Sequence, residues 1–159
     1  MDSNPIEKKS DEVRTKIAAV LTAATETDKA KVKQIIDQAK LGHYESEMAS
    51  ITPGMAALLF IQHNPYNRDW KPTWSLELFR RLETRQWEKN GDTIRFYDDG
   101  ILADGQNRLA AIALNRKPVD CIVVYGLTRP AMLTIDGGKP RYASDAGKLE
   151  GVTKALEKE

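Results

Sequence analysis

The sequence predicts a mixed α/β domain of the α+β kind behind a helical hairpin, and three observations predict it. Two segments near the N-terminus carry apolar residues at helical spacing. Short apolar or alternating runs at 44–51, 93–97, 101–103 and 119–125 read as strands. The last observation is continuity: Ile101-Leu-Ala103 passes through Asp104-Gly105-Gln106-Asn107-Arg108 directly into another helical pattern. With 159 residues the chain can form one domain with a real core and appendages, and it is short for two independent domains.

Residues 1–9 are polar, contain Pro5, and are expected to be a disordered tail. Residues 10–43 are expected to form the hairpin. Ser10 is a plausible cap, Ile17, Val20, Leu21 and Ala24 share a face, and Val32, Ile35, Ile36 and Ala39 repeat it after a turn near Thr25-Glu-Thr27. Gly42 ends the second helix. Each helix has one narrow apolar stripe, which can dock on the main domain or on a second copy of the chain as a homodimer.

The main domain is expected over residues 44–150, with 151–159 as a C-terminal tail. Tyr44–Ile51 reads as a strand, and Thr52-Pro53 starts a helix with cap and first-position proline in their preferred places. The prolines and asparagines of 63–72 make an irregular loop. Helix resumes over 73–87, with Leu78, Phe79 and Leu82 inward and Arg80, Arg81, Arg85 and Lys89 outward. The turn dipeptides Asn90-Gly91 and Asp99-Gly100 bracket an alternating run in which Ile94 and Phe96 point one way, and Ile101–Ala103 completes a hairpin. Helix 105–115, a strand from Val119 and a short helix over 130–135 follow.

Composition excludes several classes. Lys plus Arg number 24 and Asp plus Glu 23, so net charge is no argument for a polyanionic partner, and any nucleic-acid contact needs a local patch. The single Cys121 lies in a strand-like run, which excludes a disulfide framework and suits a reducing cytoplasm. Apolar runs such as Ala56–Ile61 fall far short of the ~18 residues a membrane span needs. No metal site is expected: His43 and His63 have no ligand at zinc spacing. Trp70, Trp74 and Trp87 can serve as core or as a stacking platform for bases.

The turn at Asp104–Arg108 carries the chemistry. A glycine between strand and helix lets backbone N–H groups and the positive helix end approach an anion, and an arginine one turn in can fork onto its oxygens. Gly105, Asn107 and Arg108 would hold phosphate, with Asp104 and Gln106 nearest any reacting water or metal. The plain alternative makes Asp104 an N-cap and Arg108 a solvated side chain. Two further candidates are Asn64 and Arg68 of Asn64-Pro65-Tyr66-Asn67-Arg68, and Lys139 and Arg141 of Asp136-Gly137-Gly138-Lys139-Pro140-Arg141. Their alternatives are a helix-ending turn and a flexible exit loop.

The order of Asn64–Arg68, one amphipathic helix, a hairpin and then the glycine turn resembles the N-terminal domain of the ParB and sulfiredoxin-like superfamily. There an Asn-Pro-Tyr-x-x-Arg-like box precedes a Gly-x-x-Arg box. Asp104, Gly105, Gln106 and Arg108 look closest to the Asp-Gly-Gln-His/Gln-Arg boxes of ParB-fold proteins from phage, DNA-modification and defence systems, and Asn107 alone differs. The resemblance covers roughly residues 45–146, and Asp136, Gly138 and Arg141 fit an Asp-x-Gly-x-x-Arg stretch of the phage proteins. It implies a small mixed sheet with packed helices and a phosphate-facing site.

Departures from the family patterns narrow the chemistry. Gln106 stands where sulfiredoxins have cysteine, so sulfinic-acid reduction is not expected. Against the Gly-Glu-Arg-Arg box of partition proteins, Gln106 removes a carboxylate and Asn107 a cation. The resemblance therefore implies a nucleoside triphosphate with magnesium as ligand, in a DNA-associated system of a phage or other mobile element, with hydrolysis as an extension. The alternatives are a non-catalytic nucleic-acid module holding backbone phosphate with Arg80, Arg81, Arg85 and Lys89, and a phage protein-interaction or inhibitor factor using the hairpin. No helix-turn-helix follows the domain, so DNA recognition of the partition kind is not expected.

Overall fold

The structure, a computed structural model, describes residues 5–65, 70, 72–84, 93–132 and 134, with the side chains of 5–8 and 132 left aside. The chain divides into two units, Met1–Leu127 and Thr128–Glu159. In the second unit the described part is one short helix, Arg129–Met132, whose first turn is closed by Thr128.

The first unit begins with α1 (Pro5–Thr22) and α2 (Glu26–Lys40). The expected start at Ser10 falls inside α1, and residues 5–9, read as part of a disordered tail, are helical. Proline at a first helical position needs no N–H partner and already has helical φ, which is why Pro5 opens the helix instead of excluding it. α2 begins where the Thr-Glu-Thr turn was read: Thr25 caps it, with Asp28 returning the bond in a capping box.

Both apolar stripes face into the same chain. Val13, Ile17, Val32, Ile35, Ile36 and Ala39 join the core cluster, and Val20, Leu21 and Ala24 are partly buried against it. The helix they cover is α3 (Pro53–Gln62), apolar on all sides and buried from Gly54 to Phe60. Gly54 sits where α2 and α3 meet: a Cβ there would stand 2.3 Å from Asp28 Oδ2 and 3.3 Å from Ala24 Cα, so a side chain at this position displaces the Asp28 carboxylate.

The sheet is built from β1 (Glu45–Ile51), β2 (Thr93–Tyr97), β3 (Leu102–Asp104) and β4 (Val119–Leu127), in the order β1-β4-β2-β3. β4 pairs antiparallel with β1 and parallel with β2, while β2 and β3 form the antiparallel hairpin, so the sheet is mixed. Alternation puts Ile94, Phe96, Cys121, Val123 and Tyr125 on the face covered by helices. Met48, Ile122, Val124 and Arg95 occupy the opposite, more open face. Two helices complete the unit: α4 (Pro72–Glu83) and α5 (Gln106–Leu114), which pack on each other, with α5 also against α3.

Among the described residues the architecture is thus mixed α/β, six helices with a four-stranded mixed sheet, as the sequence predicted. No helix among them is long and apolar enough to cross a membrane.

Candidate functional site

β3 ends at Asp104 and α5 begins at Gln106, so one residue makes the whole strand-to-helix turn. Gly105 does so at φ 111°, a left-handed conformation in which a side chain is strained. It is also the cap residue of α5, and no side-chain bond caps the helix. A Cβ here would lie 3.3 Å from Ile94 Cα and 3.5 Å from Arg108 Nη1, so the glycine brings β2, the turn and the guanidinium together.

Neither plain alternative for the neighbouring residues is what forms. Asp104 is not the N-cap: it is the last residue of β3, and its Oδ2 lies 3.6 Å from Arg95 Nη1 across the hairpin. Arg108 is not simply solvated. It is half-buried, and its Nη1 donates to the main-chain carbonyl of Thr93. Arg95 Nε donates to the hydroxyl of the same Thr93 at 2.7 Å. Two guanidiniums therefore converge on one residue of β2 with the Asp104 carboxylate beside one of them, an arrangement that suits an anion.

The two sequence boxes meet. Asn64, just past α3, donates from Nδ2 to Gln106 Oε1 at 3.1 Å across 42 residues of chain. Gln106 is buried, 4 % exposed, and the Asn64 Oδ1 atom is buried with no hydrogen-bond partner among the described residues. Asn107, on the next position of α5, is held from α4: Ser75 Oγ donates to Asn107 Oδ1 at 2.9 Å and accepts from the Trp70 indole N–H at 2.7 Å. Ser75 is fully buried. The Trp70–Ser75–Asn107 relay fixes the second residue of α5 against α4.

Trp70 belongs to the core, packed edge-on against Phe60 with ring centroids 5.3 Å apart and carrying the Arg14 guanidinium on its face. Trp74 is exposed, and the Arg81 guanidinium lies 5.2 Å from its ring centroid. Arg80 and Arg81 both reach Glu77, Arg80 at 2.8 Å and Arg81 at 3.6 Å, so the cations read as a phosphate-binding face share a carboxylate. The hydrogen bond from Arg80 holds Glu77 below the usual carboxylate range.

Arg68, Arg85, Lys89, Lys139 and Arg141 lie outside the described residues, as does Trp87. The structure brings together Asn64, Asp104, Gly105, Gln106, Asn107 and Arg108, and adds Arg95, Thr93 and Ser75, which the sequence reading left out. A signal for Arg95 existed: it alternates with Ile94 and Phe96, and the hairpin register pairs it with Asp104.

Among the described residues no group of three His, Cys, Asp or Glu is placed to hold a metal. The carboxylate at the turn, Asp104, lies 3.6 Å from Arg95, so its charge is matched within the chain. Cys121 is buried, and burial pushes its thiol up to about 11, against a partial opposing pull from Arg108. His63 is kept below its ordinary value by burial and by Lys40, and its main-chain carbonyl accepts from Leu102.

Compared with protein-family models, curated protein sequences and solved structures, the chain matches none of them.

Proposed function

We propose that the Gly105 turn binds the phosphates of a nucleotide, with Arg108 and Arg95 as the neutralising cations and Asn64 and Gln106 as the amide pair that shapes the floor. The observation that carries this reading is the Asn64–Gln106 hydrogen bond, which joins the two boxes of the ParB-like resemblance at a helix start with no side-chain cap. A left-handed glycine at the end of a strand, a helix N-terminus and two guanidiniums are the groups that phosphate oxygens need.

On this reading the domain belongs to a DNA-associated system of a phage or other mobile element and takes a nucleoside triphosphate with magnesium. Hydrolysis is a further step in which the arginines would meet the charge that develops on the transferred phosphoryl group.

Calorimetric titration with CTP, GTP, ATP and UTP, with and without magnesium, tests it on wild type and Arg108→Ala. The expected result is saturable binding of at least one triphosphate and its loss in the variant. A folded wild type that binds none of the four overturns the reading, and weight then moves to a nucleic-acid or protein-interaction role.

A further inference from the structure

The sheet has two edges, and the chain treats them differently. At one, β3 is only three residues long, and Leu102 donates its N–H to the His63 carbonyl at 2.7 Å, so the segment after α3 covers it. At the other, β1 runs seven residues in unbroken register with β4, from Glu45 opposite Tyr125 to Ile51 opposite Val119. β1 has no proline, lysine or bulge; of the devices that stop an edge from pairing it carries only the charges of Glu45 and Glu47, which Gln38, His43 and Tyr125 engage from within the chain. Among the described residues no backbone hydrogen bond reaches its outer side. Met48 on this strand is 59 % exposed and Tyr44 just before it 78 %.

We propose that β1 is a homodimer interface in which two copies pair antiparallel about a two-fold axis at Met48, merging two four-stranded sheets into one. The strand is self-complementary in that register, which uses all seven of its residues. Glu45 meets the partner's Ile51, Ser46 the partner's Ser50, Glu47 the partner's Ala49, and Met48 its own copy. No like charges stand directly opposite, the arrangement that cross-strand pairing requires.

Glu47 meets the partner's Glu47 only on the diagonal, and the Tyr125 hydroxyl donates to that carboxylate from β4, away from the edge. Glu45 is held likewise by Gln38 and lies 3.7 Å from His43 Nδ1. On the open face, Met48 with the half-buried Ile122 and Val124 forms an apolar strip that continues into its copy. Among the described residues the apolar stripes of the N-terminal helices are buried or partly buried against the core. The Gly105 turn follows β3, at the far edge of the sheet order, so this inference stands independently of the phosphate reading.

Sedimentation velocity over a concentration series tests it with wild type, Met48→Lys and Met48→Asp, each checked for fold by circular dichroism. The wild type is expected to dimerise, each charged variant to weaken the dimer about tenfold or more, and an equimolar mixture of the two to regain it through opposite charges at the axis. Met48→Cys is expected to form a disulfide-linked dimer on mild oxidation, since Cys121 is buried. A wild type that stays monomeric at its highest soluble concentration overturns the proposal. So does a dimer that Met48→Lys leaves intact, as when an extended peptide of another protein is the true occupant of the edge.

Discussion

Asp28 Oδ1 accepts from the Thr52 hydroxyl at 2.7 Å, and through that bond the first turns of α2 and α3 are tied to one carboxylate. Oδ2 of the same group accepts from the Thr25 N–H, and Thr52 in turn caps α3 by accepting from Met55. Two helix starts thus depend on Asp28, so Asp28→Ala is expected to cost about 2 kcal/mol in chemical denaturation, a cap together with a charge-assisted bond.

Burial works to raise the Asp28 pKa, but bonds from Thr52 and Thr25, with Lys31 nearby, outweigh it and hold the carboxyl below its ordinary 3.8. A folded value below the unfolded one means that the contribution is complete above pH 3.8 and is lost as pH falls through the folded value. The gap between wild type and Asp28→Ala should therefore narrow in acid. Gly54→Ala, which drives a Cβ into this carboxylate, should destabilise the wild type more than it destabilises Asp28→Ala.

Among the described glycines, Gly126 is the one least able to accept a side chain. Its φ is 76°, and a Cβ would lie 2.2 Å from the His43 carbonyl oxygen, a main-chain atom on the segment leading into β1. Because backbone rather than a flexible side chain must move, Gly126→Ala is expected to cost about 3 kcal/mol or more. A melting temperature close to wild type would show that the β1 lead-in shifts freely.

The elements were legible because their signals are local. Thr52-Pro53, Asp99-Gly100 and the stripe of Val32, Ile35, Ile36 and Ala39 each state their role within a few residues. The start of α1 departs from the reading of 1–9 as a tail, because a proline among polar neighbours carries no apolar stripe to mark a first turn. At the site, Gly105 and Arg108 are readable from spacing, whereas Asp104, placed by the sequence nearest a reacting water or metal with an N-cap as the alternative, lies beside Arg95, a cross-strand contact set by hairpin register. Ser75 was invisible for a related reason: a serine in an amphipathic helix signals nothing until the chain brings Trp70 and Asn107 to it.

Ser75 is fully buried and bridges Trp70 and Asn107, both half-buried, so removing its hydroxyl leaves the indole N–H and the amide oxygen without this partner. Ser75→Ala is expected to destabilise the domain by about 1 kcal/mol, the loss of two part-buried hydrogen bonds with water able to replace some of each. The same variant should shift tryptophan emission. It should also weaken triphosphate binding without contact to the ligand, through the loosened first turn of α5.

Asp104 distinguishes two kinds of phosphate site. If its carboxylate mainly restrains Arg95, which lies 3.6 Å away and is about a quarter exposed, then removing the charge frees a guanidinium for the anion. Asp104→Asn is then expected to tighten triphosphate binding without magnesium by roughly threefold, the size of a partly exposed ion pair, while Arg95→Gln weakens it by a similar factor. Arg108→Ala should lose at least about tenfold, since its guanidinium is the one nearest Gly105. Titrations of the three variants check the ordering. Weaker binding in Asp104→Asn, appearing only when magnesium is present, would instead make the carboxylate a ligand of the incoming ion and leave Arg95 as its counter-charge.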